Sequence, residues 1–188
     1  MSGEDETEIV LSLPGLDKYG VLSQISNDDK ISSIRDAIKL IVSSSQKIIR
    51  ICSPFMDMKG FFEINSEISS KIMAGTKVKI LSRELEQTTS RRLELEKIYH
   101  ELLKVGNKNW EIRDYHFEDK NGRLTSGIHA KIVTCDENLG YVGSGGIRKN
   151  SFISNFEMGL LIREKKKIMQ INKIFDFMFE KSEPFNIK

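Results

Sequence analysis

The stretch Ser126-Gly-Ile-His-Ala-Lys-Ile-Val-Thr-Cys-Asp136 alternates in the manner of a β-strand. Side chains two positions apart on a strand project from the same face, so the pattern predicts that His129 and Lys131 lie side by side. Asp136 and the following Glu-Asn-Leu-Gly turn end this strand, and Tyr141-Val142 begins a short return strand. The sequence therefore predicts a hairpin that presents an imidazole beside an ammonium group.

A loop of small residues, Gly143-Ser144-Gly145-Gly146, closes the return strand. Glycines let backbone N–H groups approach an anion closely, a histidine can attack phosphorus or pass a proton, and a lysine can neutralise phosphate oxygens. No Gly-Lys-Ser/Thr sequence follows, so the loop is not a nucleotide-binding P-loop. Together with His129 and Lys131, the loop predicts a cradle for a phosphate group.

The spacing of these residues resembles that of a known family. His129-x-Lys131, four residues, Asp136, six residues and Gly143-Ser144 are similar to the HKD signature of the phospholipase D superfamily. Asn155-Phe156-Glu157 stands where that family usually carries an Asn/Ser-x-Glu element that opens its next strand. His-x-Lys alone is a common pattern, so the whole set at this spacing carries the resemblance.

Outside residues 127–162 the resemblance is looser. Ile48–Phe55 looks like the family's early core strand followed by its Ser-Pro loop. One position departs from the family pattern: the family often has a phosphate-binding Asn two places after the Gly-Ser pair, and this chain has Gly146 there. Asn150 and Asn155 are the candidates to replace that contact, and the alternative is that one phosphate contact is missing.

The resemblance implies a role for each candidate residue. His129 attacks phosphorus or protonates the leaving group, and Lys131 stabilises charge on the phosphate oxygens. The position of Glu157 between Phe156 and Met158 predicts an inward side chain that accepts a hydrogen bond from the His129 ring. Asp136 completes the catalytic set in a supporting, structural role near the site. The candidates for substrate binding are Gly143, Ser144, Asn155 and Arg148. For Asp136, Glu157 and Ser144, the residues alone leave open a plainer role as turn former or surface charge.

Family members usually carry two such motifs, one in each half of a pseudo-symmetric enzyme, and this chain has one. The reaction that the family implies needs two histidines, so the resemblance predicts a homodimer in which two copies of His129 meet across a two-fold axis. The family chemistry is metal-independent, and no His, Cys or acidic residues here have the spacing of a zinc or two-metal site. We therefore expect no metal and no cofactor, and activity in the presence of a chelator.

Three functions remain open: two enzymes that differ in substrate, and a module without activity. Short, soluble, single-motif members of the family resemble non-specific endonucleases and the nuclease domains of restriction and repair systems, so nucleic acid is the first expectation. Arg148-Lys149, Arg163 and Lys165–Lys167 are basic residues suited to neighbouring phosphates. The second expectation is a phospholipid or other small phosphodiester. The third is a catalytically silent module that binds nucleic acid within a larger repair or defence complex.

Helical and strand patterns alternate along the rest of the chain. The first predicted helix begins near Ser26–Asp29 and carries an apolar stripe from Ile31 to Ile41. Three further predicted helices cover Phe61–Ile72, Glu84–Val105 and Lys166–Lys181. Predicted strands cover Ile9–Leu13, Lys47–Cys52, Thr76–Ser82, Asn109–His116 and Phe156–Ile162. This order predicts an α/β fold, a mixed β-sheet flanked by helices on both faces, as the resemblance to phospholipase D and its nucleases also implies.

Composition sets the remaining bounds. The chain has 188 residues, 39% hydrophobic and 30% charged, and a net charge of +2, which fits one globular domain without a global field for polyanions. We expect residues 1–8 to be a flexible acidic tail and residues 9–188 to be a single phosphodiesterase domain. The acidic start resembles no secretory signal, no run reaches the length of a membrane span, and Cys52 and Cys135 lie in apolar patterns. These features favour a cytoplasmic protein with reduced, buried thiols and no membrane partner.

Overall fold

The fold is organised by one large mixed sheet. The computed structural model describes residues 7–13, 31–83, 90–106, 109–121, 124–185 and 187. The strands are β1 Thr7–Ser12, β2 Ser32–Ser33, β3 Ile48–Cys52, β4 Lys77–Ser82, β5 Trp110–Asp114, β6 His116–Glu118, β7 Leu124–Gly127, β8 Lys131–Cys135, β9 Leu139–Gly143, β10 Glu157–Ile162 and β11 Glu183–Pro184. The helices are α1 Ile34–Ser44, α2 Met58–Phe62, α3 Asn65–Met73, α4 Ser90–Lys104, α5 Lys149–Ile153 and α6 Lys165–Glu180.

Within the described residues, nine strands pair in the order β11-β5-β4-β3-β8-β9-β10-β1-β2. β3, β4 and β5 run parallel, whereas β8, β9, β10 and β1 pair antiparallel in succession from β3. Consequently β3, β4, β5 and β9 end where β8 and β10 begin, and we call this side the carboxyl end of the sheet. The opposite side is called the amino end.

Helices cover both faces of the sheet, which confirms the predicted fold class. On one face, the buried side chains of α1, α3 and α4 form the main core with Ile49 and Ile51 of β3. On the other, Phe175 and Phe179 of α6 pack against Cys52 at the end of β3. Successive residues of a strand point to opposite faces, so β3 contributes to both layers.

The first described helix begins later than the apolar stripe suggested. Ser33 caps α1 by accepting a hydrogen bond from the backbone N–H of Asp36 at 3.0 Å, as serine favours at this position. Ile34, Ile38 and Ile41 are fully buried, as their spacing predicted, but Ile31 precedes the helix. The predicted helix start at Ser26–Asp29 lies outside the described residues.

Other predicted boundaries also change. The helix predicted over Phe61–Ile72 is two helices, α2 and α3. Thr7 and Glu8, assigned to the flexible tail, lie in β1, while residues 1–6 are outside the described residues. The long helix is described from Ser90 to Lys104, and residues 84–89 of its predicted span are not described.

The prediction of one continuous strand through His129 is wrong. β7 pairs with β6 in a separate two-stranded sheet, whereas β8 joins the large sheet between β3 and β9. The chain crosses between the two sheets at residues 128–130, where the backbone N–H of the buried Ile128 donates to the carbonyl of Tyr115 at 3.4 Å. His129 therefore lies on a short connecting segment just before β8.

The helices in the described part of the chain offer no candidate for crossing a bilayer, because none combines enough length with enough apolar character.

Candidate active site

Polar side chains from separate elements converge at the carboxyl end of the sheet. His129 and Lys131 lie at the start of β8, Ser144 follows β9, and Glu157 opens β10. Because β8, β9 and β10 are neighbours in the sheet, residues far apart in sequence meet here. Ligands of open α/β sheets also bind beyond the carboxyl ends of the strands.

The ammonium group of Lys131 lies close to His129 and is partly withdrawn from solvent. Its Nζ donates to the backbone carbonyl of His129 at 2.9 Å. Burial lowers the pKa of Lys131, the carboxylate of Glu157 acts in the opposite direction, and the positive charge of Arg83 lowers the pKa further. The site therefore holds a lysine charge that is less well hydrated than an ordinary surface lysine, which strengthens its attraction for an anion.

The side chain of His129 is exposed. Its predicted hydrogen bond to Glu157 is not formed among the described residues. The Glu157 carboxylate accepts instead from Ser144 Oγ at 2.6 Å, Ser151 Oγ at 3.2 Å and Asn155 Nδ2 at 3.2 Å. In this structure Glu157 thus holds the polar loop groups and faces Lys131, rather than fixing the imidazole.

Ser144 is fixed from both directions. Besides donating to Glu157, its hydroxyl accepts the backbone N–H of Met158 at 3.1 Å, and its own N–H donates to the Met158 carbonyl at 3.0 Å. Gly143, which precedes it, pairs with Lys131 across the β8–β9 ladder. The structure therefore brings together His129, Lys131, Gly143, Ser144, Asn155 and Glu157.

Asp136 is not near this site, and its sequence-based placement is corrected. It lies past the far end of β8, at the amino end of the sheet, because it is five residue steps of about 3.3 Å each from Lys131. Its carboxylate accepts the backbone N–H groups of Gln46 at 2.8 Å and of Lys47 and Ile48 at 2.9 Å each. We call these contacts the Asp136 clamp, which joins the β8–β9 turn to the start of β3.

The basic residues that follow β10 are also remote from His129. Arg163 Nη1 lies 2.9 Å from Glu8 Oε1 and Lys165 Nζ lies 3.1 Å from Glu137 Oε2, both at the amino end. Lys167 Nζ lies 2.6 Å from Glu164 Oε2 in the same region. Their predicted contact with phosphates around the site is therefore not supported.

Arg148, by contrast, lies at the carboxyl end, where it is the N-cap residue of α5. Its Nε lies 3.7 Å from Asp57 Oδ2, and the same carboxylate accepts the backbone N–H of Lys149 at 3.1 Å. Arg148 keeps about half of its side-chain surface exposed, at 47%. This placement is compatible with its predicted role in substrate binding.

The glycine at position 146 has a local explanation. A Cβ atom at Gly146 would lie 2.8 Å from Ser53 Oγ, too close without a shift of that hydroxyl. Ser53 Oγ accepts the N–H of Ile147 at 3.2 Å and donates to the carbonyl of Phe55 at 3.1 Å. The Ser-Pro loop after β3 thus occupies the space that an Asn side chain would need, and Ser53 is a site neighbour that sequence reasoning missed.

The thiol of Cys52 is close to Lys131 but is not a nucleophile in this state. Its Sγ donates to the carbonyl of Ala130 at 3.4 Å, and burial raises its pKa to about 12. Burial likewise raises the pKa of Cys135 to about 11. Both cysteines are free and buried, as predicted. Among the described residues, no three His, Cys, Asp or Glu side chains are grouped so that they could hold a metal ion.

Comparison with known sequences places most of the chain in one family. The sequence profile of the family described as "Cardiolipin synthase, PLD-like domain" matches residues 38–179. Cardiolipin synthase 1 of Bacillus cereus is 26% identical over 162 residues, which cover 86% of this chain and 29% of that protein. The chain thus spans less than a third of the length of this relative.

Solved structures with the same fold include two that the chain covers completely. NucT from Helicobacter pylori matches with a TM-score of 0.67 and 18% identity over 96% of this chain and 100% of its own. Nuc from Salmonella typhimurium, a phospholipase D family member, matches with a TM-score of 0.64 and 16% identity, over 97% of this chain and 100% of its own. Phosphatidylserine synthase from Haemophilus influenzae matches with a TM-score of 0.64 and 14% identity, over 95% of this chain and 40% of its own.

Proposed function

Because the chain belongs to the phospholipase D superfamily, whose members are of the phosphodiesterase type, we propose that it is a metal-independent nuclease. We further propose that its reaction passes through a covalent phosphohistidine at a site shared by two subunits. The observation that carries this proposal is the exposed imidazole of His129 beside the half-buried Lys131 at the carboxyl end of the sheet. Phosphoryl transfer needs a nucleophile next to a fixed positive charge, and this pair supplies both.

In the proposed first step, a ring nitrogen of His129 in one subunit attacks phosphorus, and the bond from phosphorus to the leaving oxygen breaks. His129 of the partner subunit gives that oxygen its proton. In the second step, the partner's His129 takes a proton from water, whose oxygen attacks phosphorus and breaks the phosphorus–nitrogen bond. Lys131 of both subunits neutralises the non-bridging oxygens in each step.

The choice of a nuclease over a lipid enzyme rests on how much of each matched protein this chain covers. NucT and Nuc are covered over their whole length, whereas the chain covers 40% of the phosphatidylserine synthase and 29% of the cardiolipin synthase. The description of the matched family names cardiolipin synthase, and this favours phospholipid as the second candidate substrate. Both candidates use the same histidine and lysine.

An assay of substrates in parallel tests the proposal. Plasmid DNA, a single-stranded oligonucleotide and phosphatidylcholine vesicles are each incubated with the protein in the presence of EDTA. We expect cleavage of nucleic acid that the chelator does not prevent. Release of a lipid head group without cutting favours the second candidate, and binding of nucleic acid without cutting favours a silent module. Either result overturns the nuclease.

An exposed apolar strip beside the site supports the proposed homodimer. Met158 and Leu160 of β10 are 53% and 42% exposed, and Ile9 of β1, which pairs with Leu160, is 51% exposed. These residues share the face of the sheet on which α6 packs at β3 and β9. Uncovered apolar strips of this kind are typical of protein interfaces. Because the strip adjoins Ser144 and Glu157, a second copy seated on it would bring its own His129 towards the first.

Replacing Leu160 by glutamate is expected to separate the dimer and to abolish turnover, because the charge would lie in the apolar contact. The solution mass, measured by light scattering, should fall from twice the chain mass of 21.5 kDa to a single chain. Leu103→Glu is the matched control, since Leu103 is 51% exposed on α4. A wild-type protein that is monomeric and fully active at assay concentration would contradict the shared site.

A further inference from the structure

Two arginines contact one aromatic ring beside the site, and the charge of a third acts on one of them. The guanidinium carbons of Arg83 and Arg91 lie 4.8 Å and 3.9 Å from the ring centroid of Phe55. Arg83 follows β4 and Arg91 lies in the first turn of α4, while the charge of Arg148, at the start of α5, also acts on Arg91. We call Phe55, Arg83, Arg91 and Arg148 the arginine cluster.

The arginine cluster is continuous with the phosphate-binding end of Lys131. The charge of Arg83 acts directly on Lys131 and lowers its pKa. The position that a Cβ of Gly146 would take lies 3.6 Å from Lys131 Cγ and 3.7 Å from the carbonyl oxygen of Phe55. The lysine side chain and the backbone of Phe55 therefore both lie next to Gly146.

Positive charges are concentrated around Arg91. The pKa of Arg91 is lowered first by burial and then by the positive charges of Arg83 and Arg148. Asp57 offsets part of this charge through Arg148, but its carboxylate also accepts the backbone N–H groups of Gly60 and Lys149. A polyanion suits this cluster, because phosphates pair well with guanidinium groups.

We propose that the arginine cluster binds a single strand of nucleic acid on one side of the phosphodiester held by Lys131, with phosphates paired to the arginines and a base stacked on the Arg–Phe layer. This inference rests on the proposed nuclease function and adds the track that the uncleaved part of the substrate follows. Cationic grooves interleaved with aromatic rings are the usual surface for single strands. A phospholipid presents one phosphodiester followed by acyl chains, so it would contact fewer of these cations than a chain of phosphates.

The test measures binding apart from cleavage. The protein carries His129→Ala so that substrates stay intact, and fluorescein-labelled oligodeoxythymidylates of two and 12 nucleotides report binding by anisotropy. Adding Arg91→Ala should raise the Kd for the longer strand by about threefold to tenfold and lower the slope of log K against log salt by about 0.7, while the dinucleotide changes less than twofold. Arg163→Ala is the matched control, since Arg163 pairs with Glu8 at the amino end.

Two further measurements make the outcome decisive. Phe55→Leu keeps an apolar side chain but removes the ring, and it should also weaken binding of the longer strand. In the otherwise wild-type enzyme, Arg91→Ala should leave hydrolysis of bis(p-nitrophenyl) phosphate unchanged while raising KM for the longer strand. Unchanged affinity for that strand in Arg91→Ala and Arg91→Gln overturns the cluster's role, whether or not the protein cleaves anything. If Arg91→Ala loses binding to phosphatidylglycerol vesicles but keeps its affinity for the oligonucleotide, the proposed nucleic-acid track is overturned in favour of a membrane surface.

Discussion

His129→Ala is expected to abolish cleavage of single-stranded DNA in EDTA, with a rate below detection. The substitution removes both proposed functions of the imidazole, the attack on phosphorus in one subunit and the transfer of a proton in the other. The fold should be unaffected because the side chain of His129 is exposed. The measurement is the initial rate on a labelled oligonucleotide, together with circular dichroism and the solution mass.

The matched control is His100→Ala, which removes an exposed imidazole on the surface of α4. It should cleave at the wild-type rate. Mixing His129→Ala with a Lys131→Met protein should restore little activity. Each mixed dimer has only one copy of His129, and the proposed reaction needs two. If purified His129→Ala cleaves at the normal rate, neither a phosphohistidine nor a shared site is tenable.

Asp136→Ala is expected to lower the free energy of unfolding by about 2–4 kcal/mol and the Tm by roughly 5–15 °C. The substitution removes the acceptor for the backbone N–H groups of Gln46, Lys47 and Ile48. It also places alanine at a φ of 48°, in the left-handed region that asparagine and aspartate tolerate better. Thermal unfolding followed by circular dichroism measures the loss.

Two companions sharpen this result. Asp136→Asn should be intermediate, because the amide oxygen can still accept from Lys47 and Ile48 and the left-handed backbone is tolerated. Glu137→Ala, which removes only an exposed ion pair with Lys165, should change the Tm little. Below its Tm, Asp136→Ala should retain turnover, since the clamp lies at the amino end. An Asp136→Ala protein as stable as Glu137→Ala, or folded but inactive, would contradict this assignment.

The fold was predictable because apolar spacing determines it. Ile34, Ile38 and Ile41 are buried on α1 at the helical spacing that the sequence shows, and β3, β4 and β10 follow from apolar runs. The break before β8 was not predictable, because Ser126–Asp136 contains no proline and its alternation continues through residues 128–130. Only the partners decide it: β7 pairs with β6, and β8 pairs with β3.

The candidate site was predictable only in part. The spacing of His129, Lys131, Ser144 and Glu157 identified residues that the structure brings together. The same spacing placed Asp136 near them, although five residue steps of about 3.3 Å each from Lys131 already imply the opposite end of the sheet.

Arg83 and Arg91 were missed because their relation to Phe55 depends on how β3, β4 and α4 pack. The lysine-rich run after β10 attracted attention by its charge alone, although ion pairs at the other end of the sheet hold it.

The separation of the Asp136 clamp from His129 along β8 has a consequence for protein engineering. We expect that the exposed residues 148–150 and 153–156 can be randomised in a library with modest loss of expressed protein, so that new substrate preferences can be screened there directly. Equal numbers of changes at residues 46–48 and 134–138 would mostly yield clones degraded by cellular proteases, whatever their effect on selectivity.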